Sequence, residues 1–196
     1  LKDNELVDSI SDDGYLILDN TCFYATSGGQ VNDIGAIKND NFKAKVTDVM
    51  KAPNGQHLHK IEVVEGKICE DDEVIIKIME ERRHKIARNH SSVHILQKSL
   101  QEVLSSNIHQ AGSYVDDERL RFDFTFTGKI LENDILEIER ICNEKINQNV
   151  DVIIQEMPLE EAKKMGAMAL FSEKYKDIVR VVTIGDSMEL CGGTHV

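Results

Sequence analysis

Residues 81–105 read ERRHKIARNHSSVHILQKSLQEVLS, and the spacing of their apolar side chains decides how the rest of the chain divides. Ile86, Val93, Leu96, Leu100, Val103 and Leu104 recur at three, four and seven, the stripe of an amphipathic helix. Before this segment the period is two. YLILD (15–19), FKAKVTDVM (42–50), HLHKIEVVEG (57–66) and EVIIKIM (73–79) are short runs separated by Gly, Asn, Asp and Pro. Leu58, Lys60 and Glu62 alternate with His59, Ile61 and Val63, as in strands with one wet face. The expectation for residues 1–81 is a small β-barrel domain.

Beyond the helix, RLRFDFTF (119–126) alternates phenylalanines with Arg121, Asp123 and Thr125, a half-buried strand preceded by GSYV. A second long helix is expected over 131–147, with Ile135, Leu136, Ile138, Ile141 and Ile146 on its stripe. VDVIIQEM reads as a strand, PLEEAKKMG as a short helix opened by Pro158 and closed at Gly166, and IVRVVTIG and SMELCGG as final strands. The whole chain is therefore expected to be α+β. Residues 82–196 would form a second domain, a two-layer core with two long helices on one face of an antiparallel sheet.

Composition narrows the function classes. Of 196 residues, 41% are apolar and 30% charged, ordinary for a globular protein with a real core. No apolar run approaches the roughly 18 residues a membrane helix needs, and the N-terminus has neither the basic nor the apolar region of a signal peptide, so a cytoplasmic protein is expected. The chain begins without methionine and ends at Val196 beside a histidine, which points to a piece of something longer. A net charge of −12 disfavours nonspecific nucleic-acid binding, so any tRNA or DNA partner would be held largely by other parts. Cys22, Cys69, Cys142 and Cys191 are widely spaced and give neither a disulfide framework nor a zinc ribbon.

Two short patterns carry chemistry. His90 and His94 in HSSVH stand four apart on the first helix, so their imidazoles stack on one face. CGGTH (191–195) supplies Cys191 and His195 across two glycines, which free the backbone to turn both side chains the same way. Together they form a His3Cys set, whose nitrogen and sulfur donors suit Zn²⁺ better than Mg²⁺ or Ca²⁺. Ser91 occupies the position that glutamate holds in H-E-x-x-H, which removes the commonest zinc hydrolase reading.

NHSSVHILQKSLQEVL, HQAGSYVDDERLRFDF, GAMALFSEKY and MELCGGTHV, in that order and spacing, resemble the editing domain of the alanyl-tRNA synthetases. TCFYATSGGQVNDIG resembles the small barrel that precedes that domain, so the likeness covers almost the whole chain. It implies hydrolysis of the ester in mischarged Ser-tRNA(Ala) and Gly-tRNA(Ala). The partners implied are the tRNA(Ala) acceptor end and the rest of a synthetase chain, its aminoacylation and C-terminal domains; none is a membrane. A free-standing trans-editing enzyme, or a non-catalytic tRNA-positioning module with a structural zinc, are the alternatives. By position, His90, His94, Cys191 and His195 match the family's zinc-site residues, and Gln110 matches a glutamine tied to editing and serine recognition. Gly112 and Ser113 follow on the strand beside the pocket, and Arg121 and Asp123 lie opposite the phenylalanines as candidate substrate contacts.

The chain departs from the family at several places. Val93 stands where a threonine is common, which bears on discrimination of serine and glycine from alanine. Phe126 replaces a histidine, Thr26 a glutamate, and Ser172 and Lys176 glycines. SGGQ (27–30) is expected as a loop leaning over the pocket, and Arg82, Arg83, Lys85 and Arg88 as a solvated helix face, with a tRNA-backbone contact as the functional alternative. Cys191 and His195 are the candidate catalytic residues with Gln110. Three ligands plus an exchangeable position, with His195 free to assist proton transfer, is the preferred arrangement, and four ligands the other.

Overall fold

A computed structural model of the chain describes residues 1–2, 5–168 and 175–196, in which the chain divides into two units. The first is Leu1–Ser27 with Val31–His84, and the second is Gly28–Gln30 with Lys85–Val196. The first is built of antiparallel strands with the opening turns of one helix, and the second mixes antiparallel sheets with helices.

The first unit carries β1 (Ser9–Ile10), β2 (Gly14–Ile17), β3 (Gly35–Lys38), β4 (Phe42–Lys51), β5 (His57–Gly66), β6 (Ile68–Cys69) and β7 (Ile75–Ile78). Along β4 the buried Phe42, Ala44 and Val46 alternate with the exposed Lys43 and Lys45. A register shift between Val46 and Asp48 then inserts one residue, so the next buried side chain is Val49 rather than Asp48. The inside of β5 is His59, Ile61 and Val63, as its alternation requires, and these strands with Phe23, Ile37 and Ile68 enclose the core. His59 is a satisfied core histidine: Nδ1 meets the Leu16 carbonyl at 3.1 Å and Nε2 the Thr21 hydroxyl at 2.8 Å.

The five-stranded sheet has the order β2-β5-β4-β3-β7, with a separate β1-β6 pair. Among the described residues β2 and β7 are edges and do not pair with each other, so the hydrogen-bonded ladder is open where a closed barrel was expected. Short β1, β3 and β6 escape a reading based on alternation because two to four residues carry too little periodic signal.

Two of the basic residues weighed as a solvated helix face or a tRNA contact are instead engaged inside this unit. Arg83 Nε lies 2.8 Å from Asp33 Oδ1 and its Nη2 also reaches Asp33 and the Cys22 carbonyl, while Arg82 donates to the Asn32 carbonyl at 2.7 Å. Asp33 is 2% exposed and also accepts from the Tyr24 backbone N–H. Arg83→Ala would leave that carboxylate buried without its countercharge. It is expected to destabilise the chain by about 3 kcal/mol, read as a lower urea midpoint.

In the second unit, α1 (Glu80–Val103), whose first turns belong to the first unit, runs into a polar interior. Its buried side chains include Ile86, Val93, Ile95 and Leu100, but also His90, Ser91, His94, Gln97 and Ser99. The apolar stripe is therefore interrupted by the groups that make the site. After α1 come β8 (Gln110–Val115) and β9 (Leu120–Phe124), then α2 (Glu132–Asn147), β10 (Val152–Pro158), α3 (Leu159–Lys164), β11 (Ile178–Ile184) and β12 (Ser187–Leu190).

The expected single sheet is two: a β8-β9 hairpin and a β10-β11-β12 sheet, both antiparallel. On one face of β11, Val182 and Ile184 pack with Ile95 of α1 and Cys142 of α2. On the other, Val179 and Val181 pack with Ala162 of α3 and with Met157 and Leu190. Two buried faces explain why IVRVVTI is nearly continuously apolar. Of the stripe assigned to α2, Ile138 is buried against Leu100 and Ile108, whereas Ile135, Leu136 and Ile146 are at least half exposed. No helix among the described residues is long and apolar enough to cross a membrane.

Candidate metal centre

His90 and His94 present their rings one helical turn apart, with centroids separated by 5.8 Å. Cys191 and His195 arrive from the segment after β12, and one donor atom from each of the four residues lies within 4.8 Å of the others. Cys191 Sγ is 3.3 Å from His90 Nε2 and 3.3 Å from His195 Nε2. A tetrahedral ion with ordinary metal–nitrogen and metal–sulfur bonds would hold such atoms about 3.6 Å apart. The two sulfur–nitrogen contacts lie within a few tenths of an ångström of that spacing, and the set as a whole, spread over 4.8 Å, would have to draw together to hold one cation.

The tail is held by hydrogen bonds that the motif does not reveal. Arg180 of β11 donates from Nη1 to the carbonyls of Cys191 (2.7 Å) and Gly193 (2.9 Å), and its own carbonyl accepts from the Cys191 N–H (3.1 Å). The two glycines act differently from expectation, since neither has positive φ. Gly193 is needed for space: a Cβ there would lie 2.0 Å from His90 Cε1 and 2.3 Å from Nδ1, whereas one on Gly192 would meet nothing within 4 Å.

Each histidine has a partner facing its Nδ1. His90 Nδ1 is 2.6 Å from Gln30 Oε1, His195 Nδ1 is 3.1 Å from Ser91 Oγ, and His94 Nδ1 is 3.5 Å from Glu189 Oε2. Such outer partners orient imidazole ligands and raise their basicity. At 3.5 Å the His94–Glu189 pair falls short of a hydrogen bond, and both atoms are buried without another partner among the described residues. Glu189 is fully buried, with Oε1 accepting from the Ser187 hydroxyl at 3.0 Å.

Gln30 reaches the site on a loop that packs flush against β8. The Gly29 carbonyl accepts from the Val115 N–H at 2.8 Å, and Gln30 forms a parallel bridge with Val115. Gly29 has φ +82°, and a Cβ there would lie 2.2 Å from Ser113 Oγ, so only glycine allows this approach.

Burial sets the electrostatics. It pushes His90 down to about 4, His94 to about 3 and His195 to about 2, with Arg180 and the neighbouring histidines adding to the effect. Burial also raises the Cys191 thiol to about 11 and Glu189 to about 7. Without metal the four donors are therefore neutral at pH 7, and binding a cation through sulfur must release the thiol proton.

Three imidazoles depressed below their ordinary 6.5 make the unfolded chain bind protons first. Their contribution is complete above pH 6.5 and is lost on acidification toward the folded values, each by about 1.4 kcal/mol per pH unit. Glu189 acts oppositely between its ordinary 4.5 and about 7. One carboxyl against three imidazoles leaves a net loss. The urea midpoint of the metal-free chain is expected to fall steeply below about pH 6.

The remaining sequence candidates lie as follows. Gln110 Nε2 donates to Ser113 Oγ at 2.9 Å, and the Ser113 hydroxyl faces the Gly28 carbonyl at 3.4 Å. Gly112 faces Asp123 across the hairpin, where a Cβ would lie 2.9 Å from Oδ2. Arg121 and Asp123, i and i+2 on β9, pair with each other at 3.0 Å on an exposed face. Val93 is buried in α1, at 4% exposure. Phe126 packs with Leu100, Ile108 and Ile138, Thr26 Oγ1 accepts from the Asn32 N–H, and Lys176 is exposed. Ser172, with most of GAMALFSEKY, lies outside the described residues.

Arg180 and Glu189 escaped the sequence reading, and Ser91 was noted only for not being glutamate. Strand parity could have found Glu189, which is two residues before Cys191 and so faces the same way.

Comparison with known proteins agrees with the resemblance. Residues 1–82 match the family model of class II (A) tRNA synthetases, and residues 179–196 match the second additional domain of threonyl- and alanyl-tRNA synthetases. Over its full length the chain is 50% identical to an alanine–tRNA ligase of Bacillus cytotoxicus and 49% to one of Bacillus mycoides, covering 23% of each. It is 49% identical to the Lysinibacillus sphaericus ligase over 98% of its length, covering 21% of that relative. The chain thus spans under a quarter of the length of these curated relatives, and it belongs to the alanyl-tRNA synthetase family.

Proposed function

We propose that residues 82–196, with the Gly28–Gln30 loop, are a zinc-dependent editing domain that hydrolyses the ester of Ser-tRNA(Ala) and Gly-tRNA(Ala) within a synthetase. Residues 1–81 are the small domain that precedes it. The observation that carries the reading is the convergence of His90, His94, Cys191 and His195 donors within 4.8 Å, in a chain half identical to alanine–tRNA ligases. The need for such a site is physical. A pocket shaped for alanine separates glycine, one methyl smaller, or serine, one hydroxyl larger, by only about 1–3 kcal/mol.

Zinc suits three nitrogens and a thiolate, and when bound it supplies charge to polarise or anchor the ester carbonyl group. The equal 3.3 Å approach of His90 and His195 to Cys191 Sγ supports His195 as a donor like His90, rather than the free proton-transfer group preferred from sequence. The chain's own groups hold and orient: Gln110 and Ser113, already joined, fix the edge of β8 that faces substrate, and Arg121 with Asp123 offers charge at the rim. Val93, buried in α1, offers no hydroxyl at the position where one would sort serine from alanine.

The test mixes the chain with serylated, glycylated and alanylated tRNA(Ala), before and after removal and return of zinc. Hydrolysis of the first two esters that disappears with the metal and returns with it is the expected result. Equal rates without metal, or equal rates on the alanyl ester, would overturn the reading, the former in favour of a zinc that only staples the fold.

A further inference from the structure

We propose that Gln30 is a positioning residue that holds His90 in the tautomer with its proton on Nδ1 and a bare Nε2 facing Cys191. The consequence for metal binding rests on the proposed zinc site, whereas the tautomer is set by hydrogen bonds alone.

The Thr194 backbone N–H can only donate, and its partner, 2.9 Å away, is the side-chain amide of Gln30. An amide NH2 there would set donor against donor, so the atom is the carbonyl oxygen, Oε1. The same oxygen lies 2.6 Å from His90 Nδ1, so that nitrogen must be the donor. A neutral imidazole carries one ring proton, which leaves Nε2 with its lone pair, 3.3 Å from Cys191 Sγ. The Thr194 hydroxyl is a further donor to Oε1 at 3.2 Å.

Gln30 is dedicated to accepting. Its side chain is fully buried, and its Nε2 has no hydrogen-bond partner among the described residues. An unpaired buried donor is costly, and the fold carries that cost to place one oxygen between the helix histidine and the C-terminal segment. Without that acceptor either tautomer is open to His90, and the one with Nε2–H cannot ligate through that nitrogen.

The experiment is nitrogen-15 NMR of the histidine rings in the metal-free chain at about pH 8, where imidazoles are neutral, paired with zinc affinity by competition against a chromophoric chelator. The wild-type chain is expected to show Nδ1–H and bare Nε2 for His90. Gln30→Met is expected to release that preference and weaken zinc about 10–100-fold, and Gln30→Glu, which keeps an acceptor oxygen, to restore the tautomer. A wild-type His90 protonated on Nε2 overturns the proposal, as does a Gln30→Met chain that keeps the Nδ1–H form, whatever its affinity. If Gln30→Met does not fold, the wild-type and Gln30→Glu spectra decide. A wild-type chain that takes up no zinc sinks the metal reading, while its His90 spectrum still decides this one.

Discussion

Cys191→Ala is expected to weaken zinc binding by more than about 100-fold, above the usual loss from removing an outer partner, and to remove deacylation of seryl-tRNA(Ala) with it. The sulfur is the single thiol in the donor set and the atom both His90 Nε2 and His195 Nε2 approach at 3.3 Å. Its replacement leaves three neutral imidazoles with no anionic donor, in a site where burial penalises added charge. The fold should persist, because Cys191 contributes only the half-buried edge of a cluster built on Ile95, Val182 and Ile184. Metal content, zinc competition and a urea melt of the metal-free chain separate these effects. Unchanged metal uptake would remove Cys191 from the ligand set; unchanged deacylation with metal lost would reduce the zinc to a structural part.

The second large effect belongs to Gly193. Gly193→Ala places a methyl 2.0–2.8 Å from three atoms of the His90 ring, which is 6% exposed and already held by Gln30. The ring cannot yield without breaking that hydrogen bond, so the tail must move, carrying Cys191 and His195 with it. A loss of about 1–3 kcal/mol in stability is expected from overpacking, with a fall in zinc affinity of at least about tenfold. Gly192→Ala is the matched control, since among the described residues, its chain neighbours aside, no atom lies within 4 Å of its Cβ position. Equal effects at the two glycines in melts and zinc titrations would show that backbone freedom, not space, is what CGG supplies.

Much of the fold was legible because the strong signals were periodic. The helix read over 81–105 is Glu80–Val103, the one read over 131–147 is Glu132–Asn147, and the alternation of 57–66 places His59, Ile61 and Val63 inside. Where the reading failed, a non-local term prevailed. The open order of β2-β5-β4-β3-β7 depends on which edges meet, and the split of the second sheet depends on the β8-β9 hairpin remaining apart from β10-β11-β12. The stripe on α2 was overcounted because, among the described residues, the buried packing of this helix centres on the arc near Ile138. The basic turn at Arg82 and Arg83 was read as a surface because its acceptors, Asn32 and Asp33, lie fifty residues away.

The sequence by itself determined the donors: a four-residue spacing on a helix stacks His90 with His94, and a tight C-G-G-T-H segment brings Cys191 and His195 to one side. Those are local relations, fixed by the geometry of a few consecutive residues. Tertiary structure alone decided how the donors are aimed. Gln30, Ser91 and Glu189 face the three Nδ1 atoms from a loop, a helix and a strand, and Arg180 pins the tail from β11. A hydrogen bond between groups sixty or a hundred residues apart leaves no period in a sequence, because its direction exists only once the strands and helices that carry it have packed.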